Sequence, residues 1–125
     1  MGRALSLPSR VIGSVPGDYL QPAVGHSDAA RLVEEGLLAL AGEAGMTPAL
    51  VTRFLEVARG LSYRQMSQLH GISLNTVKTQ VGHALASMHV RCCHEIQDTA
   101  RAARSRAEAG ANKEQVLSFL RLRFE

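Results

Sequence analysis

The stretch GLSYRQMSQLHGISLNTVKTQVGHALASM, residues 60–88, decides how this chain is read. Ser62 followed three residues later by Gln65 has the spacing of a capping box, in which each side chain satisfies the other's backbone amide. A short helix is therefore expected from there through about Leu69, with Gly71 breaking it. Ser73 caps a second, longer helix expected to reach about His89. Along it Val77, Val81, Ala84, Leu85 and Met88 recur at i, i+4, i+7, i+8 and i+11, an interior stripe. A short helix, a turn of about four residues containing Gly and a longer helix opening on Ser predict a helix-turn-helix, whose second helix enters the DNA major groove.

With that stripe turned inward, Asn75, Lys78, Thr79, Gly82 and His83 fall on the far side and are the expected base-reading positions. Asn offers a paired donor and acceptor to adenine, Lys donates to guanine, and the Thr methyl contacts thymine. Ser62, Tyr63, Arg64, Ser73, Thr76 and Arg91, with the amides opening the second helix, suit phosphates, which fix register but carry little sequence information. No Asp or Glu lies between Glu56 and Glu95, whereas Arg59, Arg64, Lys78, Arg91 and four histidines do. A carboxylate on this face would oppose a polyanion, which accounts for its exclusion. The competing readings are an ordinary helical bundle with a coincidental glycine turn, a merely solvated Lys78, and a His70 that packs at the turn.

Working outward, 125 residues accommodate one domain with tails. Aromatic residues are 4% of the chain and Trp is absent, so composition favours helices over strands and an all-α class is expected. Residues 1–45 carry three Arg against five acids, and residues 46–125 carry eleven Lys or Arg against six acids, so the second part is the basic one.

Residues 1–26 hold every proline except Pro48 and show no sustained periodicity, which predicts a flexible arm. An N-terminal helix is expected over 27–45, opened by Ser27 and Asp28, with Leu32, Val33, Leu37, Leu40 and Ala41 forming one stripe. Thr47 and Pro48 open the next helix, with Val51, Phe54, Leu55 and Ala58 on its buried face and Gly60 at its end. Two helices follow, at about Cys93–Ala109 and from Asn112 to about Arg123, divided by Gly110. The expected architecture is a small helical bundle: a helix-turn-helix domain over 46–109, one extra helix before it and one over 110–125. Leu32, Leu37 and Leu40 form a stripe for the core or a dimer interface, and Val116, Phe119 and Leu120 one that docks on a partner groove or on a second copy of the chain.

The run from Gly60 to Cys92, GLSYRQMSQLHGISLNTVKTQVGHALASMHVRC, resembles the DNA-binding domain of the LuxR family. Thr47, Pro48, Gly60, Ser62, Gly71, Ile72, Ser73, Asn75, Thr76, Val77, Lys78 and Val90 carry the likeness, SLNTVKT most specifically, over roughly residues 46–105. A related likeness exists to region 4 of sigma factors. The LuxR resemblance implies a bacterial transcription regulator, an activator, with Lys78 and Thr79 at base-reading positions, Thr76 facing phosphate, and the helix from about Cys93 used for dimerisation. The sequence departs from the pattern at Ala49, Leu50, Thr52, Gln65, Met66, Ser67, His70, Gly82 and Cys93. The 45 residues ahead of the reader are too few for a receiver or ligand-sensing domain.

Other classes find little footing. No nucleophile–base pair, phosphate loop or useful carboxylate pair is present, so no enzyme and no cofactor are expected. Cys92 and Cys93 are adjacent, a poor geometry for a mutual disulfide, and point to a reduced compartment. With His89 and His94 they invite a metal reading, but no second separated Cys pair exists, and no metal is expected. No apolar run is long enough to span a bilayer and the amino terminus lacks a secretory core, which predicts a cytoplasmic protein. The expected partners are double-stranded DNA and a second copy of the chain. The alternative is an interaction module of the same fold that docks on RNA polymerase or sequesters another regulator.

Overall fold

The computed structural model describes residues 28–124. The expected arm over 1–26 and the expected cap at Ser27 lie outside them. The chain divides into two units, Met1–Arg31 and Leu32–Glu125. Of the first, only the opening turn of a helix is described, where Arg31 and Asp28 approach to 3.4 Å on an exposed face. The second unit is the subject below.

The protein is all-α: the described residues form six helices and no strand. They are α1 (Asp28–Glu43), α2 (Pro48–Arg59), α3 (Tyr63–His70), α4 (Leu74–Ser87), α5 (Cys93–Glu108) and α6 (Lys113–Phe124). None is long and apolar enough to cross a membrane.

Local chemistry sets most of their ends. Thr47 Oγ1 accepts from the Leu50 amide at 3.3 Å, and Pro48 fills the first turn of α2, where a missing amide costs no hydrogen bond. At the start of α3 the Ser62 hydroxyl accepts from the Gln65 amide at 3.0 Å while Gln65 Oε1 accepts from the Ser62 amide at 2.8 Å. Asn112 and Gln115 repeat that reciprocal pattern, both bonds at 2.9 Å, so Asn112 caps α6 and the helix proper begins at Lys113. Cys92 caps α5 without a side-chain hydrogen bond; instead Glu95 Oε1 accepts from the Arg91 amide at 3.3 Å. Helix α4 stops at Ser87, before the expected His89, because His89 turns into the left-handed region at φ 58°.

One apolar cluster joins elements from all six helices: Val33, Leu37 and Leu40 of α1, Phe54 and Val57 of α2, Met66 of α3, Val77, Val81 and Ala84 of α4, Ile96 of α5, and Val116, Leu120 and Phe124 of α6. Phe54 and Phe124 meet edge to face with centroids 6.1 Å apart. Helix α2 packs on α4 and α5, α3 on α4, and α5 on α6. Each fully buried Leu or Phe here contributes about 1.5–3 kcal/mol relative to leaving it exposed. The expected divisions near residues 45 and 110 are helix ends at left-handed glycines, Gly45 and Gly110, and not boundaries between cores.

This burial corrects part of the expected docking surface. Leu37, Leu40, Val116 and Leu120 are interior to the single chain, at 0%, 7%, 1% and 0% exposure, and present nothing to a partner. The stripes of α1 and α6 both belong to the single apolar cluster. The reason is visible at Gly36, where an added Cβ would lie 2.7 Å from Leu120 Cδ1: the bare glycine lets α6 close down on α1. Outside the core, Arg121 donates to both Glu43 carboxylate oxygens, at 2.5 and 2.6 Å, and this hydrogen bonding holds the Glu43 carboxyl below the ordinary glutamate range.

Candidate nucleic-acid interface

Helix α4 buries Val77, Val81 and Ala84 and leaves Asn75, Lys78, Thr79, Gly82 and His83 exposed. The five expected base-reading positions therefore share the solvent side of one helix. The turn in front of it is held tightly. Gly71 adopts φ 64° and donates its amide to Ser67 O, a conformation that costs a residue with a Cβ roughly 1–2 kcal/mol. The Ile72 amide donates to Ser67 O at 3.2 Å, and the Ser67 hydroxyl donates back to Ile72 O at 2.5 Å. Ser67 thus closes the turn from both sides.

A polar network beneath the surface ties the two helices of the motif to α2. Glu56 is fully buried and Arg53 is 4% exposed. Arg53 Nε lies 3.0 Å from Glu56 Oε1, His70 Nε2 lies 2.6 Å from Glu56 Oε2, and Arg53 Nη1 donates to Gln80 Oε1 at 3.4 Å. Helices α2, α3 and α4 each contribute a member, so the network fixes the pose of α4 relative to α2 and α3. His70 packs at the turn and its imidazole is engaged with Glu56. The sequence reading had that outcome for His70 but missed Arg53, Glu56 and Gln80. The available signal was the pair of charges at 53 and 56 inside the otherwise apolar face of residues 51–58, a pattern that requires a buried partner.

That network also explains the charge pattern. Glu56, the last acid before the acid-free segment, is hidden, so no carboxylate from residues 56–94 reaches the surface. Two basic residues are likewise taken out: Arg53 by Glu56, and Arg59 by Glu34, whose two oxygens accept from Arg59 Nε at 2.6 Å and Nη2 at 2.8 Å. Arg64, Lys78 and Arg91 are exposed and enter no ion pair among the described residues. They are the cations that α3, α4 and the turn after α4 offer to a polyanion.

The expected phosphate-facing residues divide. Ser62 spends its lone pair on its cap, leaving the hydroxyl proton to donate. Ser73 Oγ and Thr76 Oγ1 sit 2.9 Å apart while Ser73 Oγ also accepts from the Thr76 amide, so the pair retains one hydroxyl proton for an outside acceptor. Tyr63 behaves differently. Its hydroxyl lies 3.7 Å from Cys93 Sγ, across to the start of α5, and the residue is half-buried. Hydrogen bonding to Cys93, aided by burial, pushes the Tyr63 phenol above the ordinary tyrosine range. Tyr63 thereby links α3 to α5.

Beyond the motif, Arg101 pairs with Asp98 at 2.9 Å on an exposed face. The guanidiniums of Arg106 and Arg123 lie 4.3 and 5.6 Å from the centroid of the Phe119 ring. Leu122, one turn on, is 78% exposed. Leu32 and Phe119 are the two expected docking residues that keep part of their surface. Both cysteines are free thiols, and among the described residues no three His, Cys, Asp or Glu converge as metal ligands would. Compared with protein-family models, curated proteins and solved structures, the chain matches none.

Proposed function

We propose that this chain is a LuxR-type transcription regulator of the bacterial cytoplasm, an activator that binds promoter DNA as a dimer through residues 62–89. The observation that supports this reading is the exposed, acid-free face of α4, with Asn75, Lys78, Thr79 and His83 presented together behind a locked Gly–Ile–Ser turn. Those side chains have the donors, acceptor and methyl that base edges in the major groove require. Arg64 and Arg91 flank them with charge for the phosphates, and no metal, cofactor or catalytic step is involved.

The deciding experiment is selection from a randomised duplex pool followed by titration of the enriched site over a range of salt. A reader enriches a motif, its affinity falls with log salt at a slope of about −0.9 per phosphate contact, and Lys78→Ala relaxes one base position. No enrichment, with weak binding indifferent to Lys78, removes the proposal. One observation favours a second reading, an interaction module docking on RNA polymerase or on another regulator: the Phe119 ring with two arginines over it, residue types enriched at interfaces, beside the exposed Leu122. In that case Lys78→Ala leaves function intact.

A further inference from the structure

We infer that Gly82 is a seating position, where the missing side chain lets the backbone of α4 approach the floor of the major groove. The inference rests on the DNA-reading proposal above and goes beyond it by naming what sets the depth of docking. Gly82 lies inside α4 and is absent from the glycines with positive φ, so no turn requires it. A Cβ built there meets nothing within 4 Å, so no packing requires it, in contrast to Gly36 against Leu120. Glycine in a helix interior weakens that helix relative to alanine, and here nothing within the chain offsets the loss.

The position is on the exposed side, one turn beyond Lys78 and Thr79 and next to His83. A helix with its side chains is about 10–12 Å across and the groove is about 12 Å wide, so a full-sized residue at the point of contact holds the axis outward. The neighbouring readers make depth matter. Asn75 and Thr79 are short, and short side chains reach base edges only if the helix axis lies close to them. Lys78 alone on this face has the length to reach from further out.

The test compares wild type, Gly82→Ala, Gly82→Leu and Gly42→Ala on the site enriched by wild type, with thermal melts alongside. Gly42 is the control, an exposed helical glycine of α1 whose added Cβ likewise meets nothing within 4 Å. Both alanine variants should melt about 2–6 °C above wild type, since each gains helix propensity without a clash. Gly42→Ala should bind as wild type does, Gly82→Ala about threefold more weakly, and Gly82→Leu about tenfold or more, as for the loss of a base contact. If both Gly82 variants bind as tightly as wild type while Lys78→Ala still weakens binding, the seating role is overturned and the reader stands. If wild type enriches no site at all, the reader falls and the seating role with it.

Discussion

His70 Nε2 lies 2.6 Å from Oε2 of Glu56, joining the last turn of α3 to a carboxylate that solvent does not reach. The same carboxylate holds Arg53, and Arg53 reaches Gln80 on α4. A buried charge set of this kind adds little net stability when complete, but becomes costly when one member is removed and another is left without compensation.

Glu56→Ala should therefore destabilise the fold by about 3–5 kcal/mol in urea unfolding, because Arg53 stays buried. The double variant Arg53→Met, Glu56→Leu should lose less than Glu56→Ala alone. His70→Ala, which removes the more exposed member, should cost about 1–3 kcal/mol. A Glu56→Ala loss below about 1 kcal/mol would show that the network is not structurally coupled.

Two backbone positions should respond with opposite signs. Gly71 sits at φ 64° by necessity, so Gly71→Ala should cost about 1–2 kcal/mol and loosen the turn ahead of α4. His89 holds φ 58° with a side chain present, so His89→Gly should raise stability by about 0.5–1 kcal/mol. Equal signs in chemical denaturation would contradict these conformations.

The Tyr63 phenol should ionise late. Hydrogen bonding to the Cys93 thiol stabilises neutral Tyr63, so ultraviolet detection of phenolate should show one component lagging above about pH 10, the ordinary range. The sign follows from linkage: a raised phenol pKa contributes stability below the unfolded value and loses it as pH rises through the folded one. Cys93→Ala should bring the late component down; an unchanged curve would remove the Tyr63–Cys93 bond from the account.

Dimerisation, if the proposed reading holds, has to use surface that the core leaves over. Leu122, near Phe119 with its Arg106 and Arg123, is the most exposed large apolar side chain of that surface among the described residues. Light scattering at tens of micromolar should give twice the chain mass of 13.5 kDa, and Leu122→Glu should halve it. A wild-type mass equal to one chain would count against the dimer.

The helical class was legible because caps and breakers act locally: Ser62 with Gln65, Ser73, Pro48, Gly60 and Gly71 each satisfy or redirect nearby backbone groups, and the structure places helix ends within two residues of where they indicate. The exposed side of α4 was legible for the same reason, since a period of 3.6 turns Asn75, Lys78, Thr79 and His83 away from Val77, Val81 and Ala84 whatever else the chain does. What periodicity leaves open is the partner of an apolar stripe. Leu37 reads as core or as interface and Leu120 as interface, and it is the closure of α6 on α1, with Leu120 over Gly36, that puts both in the core. Tertiary structure alone also decided that Glu56 neutralises within the interior and that Tyr63 turns to Cys93, because residues 14 and 30 positions apart meet only once the helices have packed.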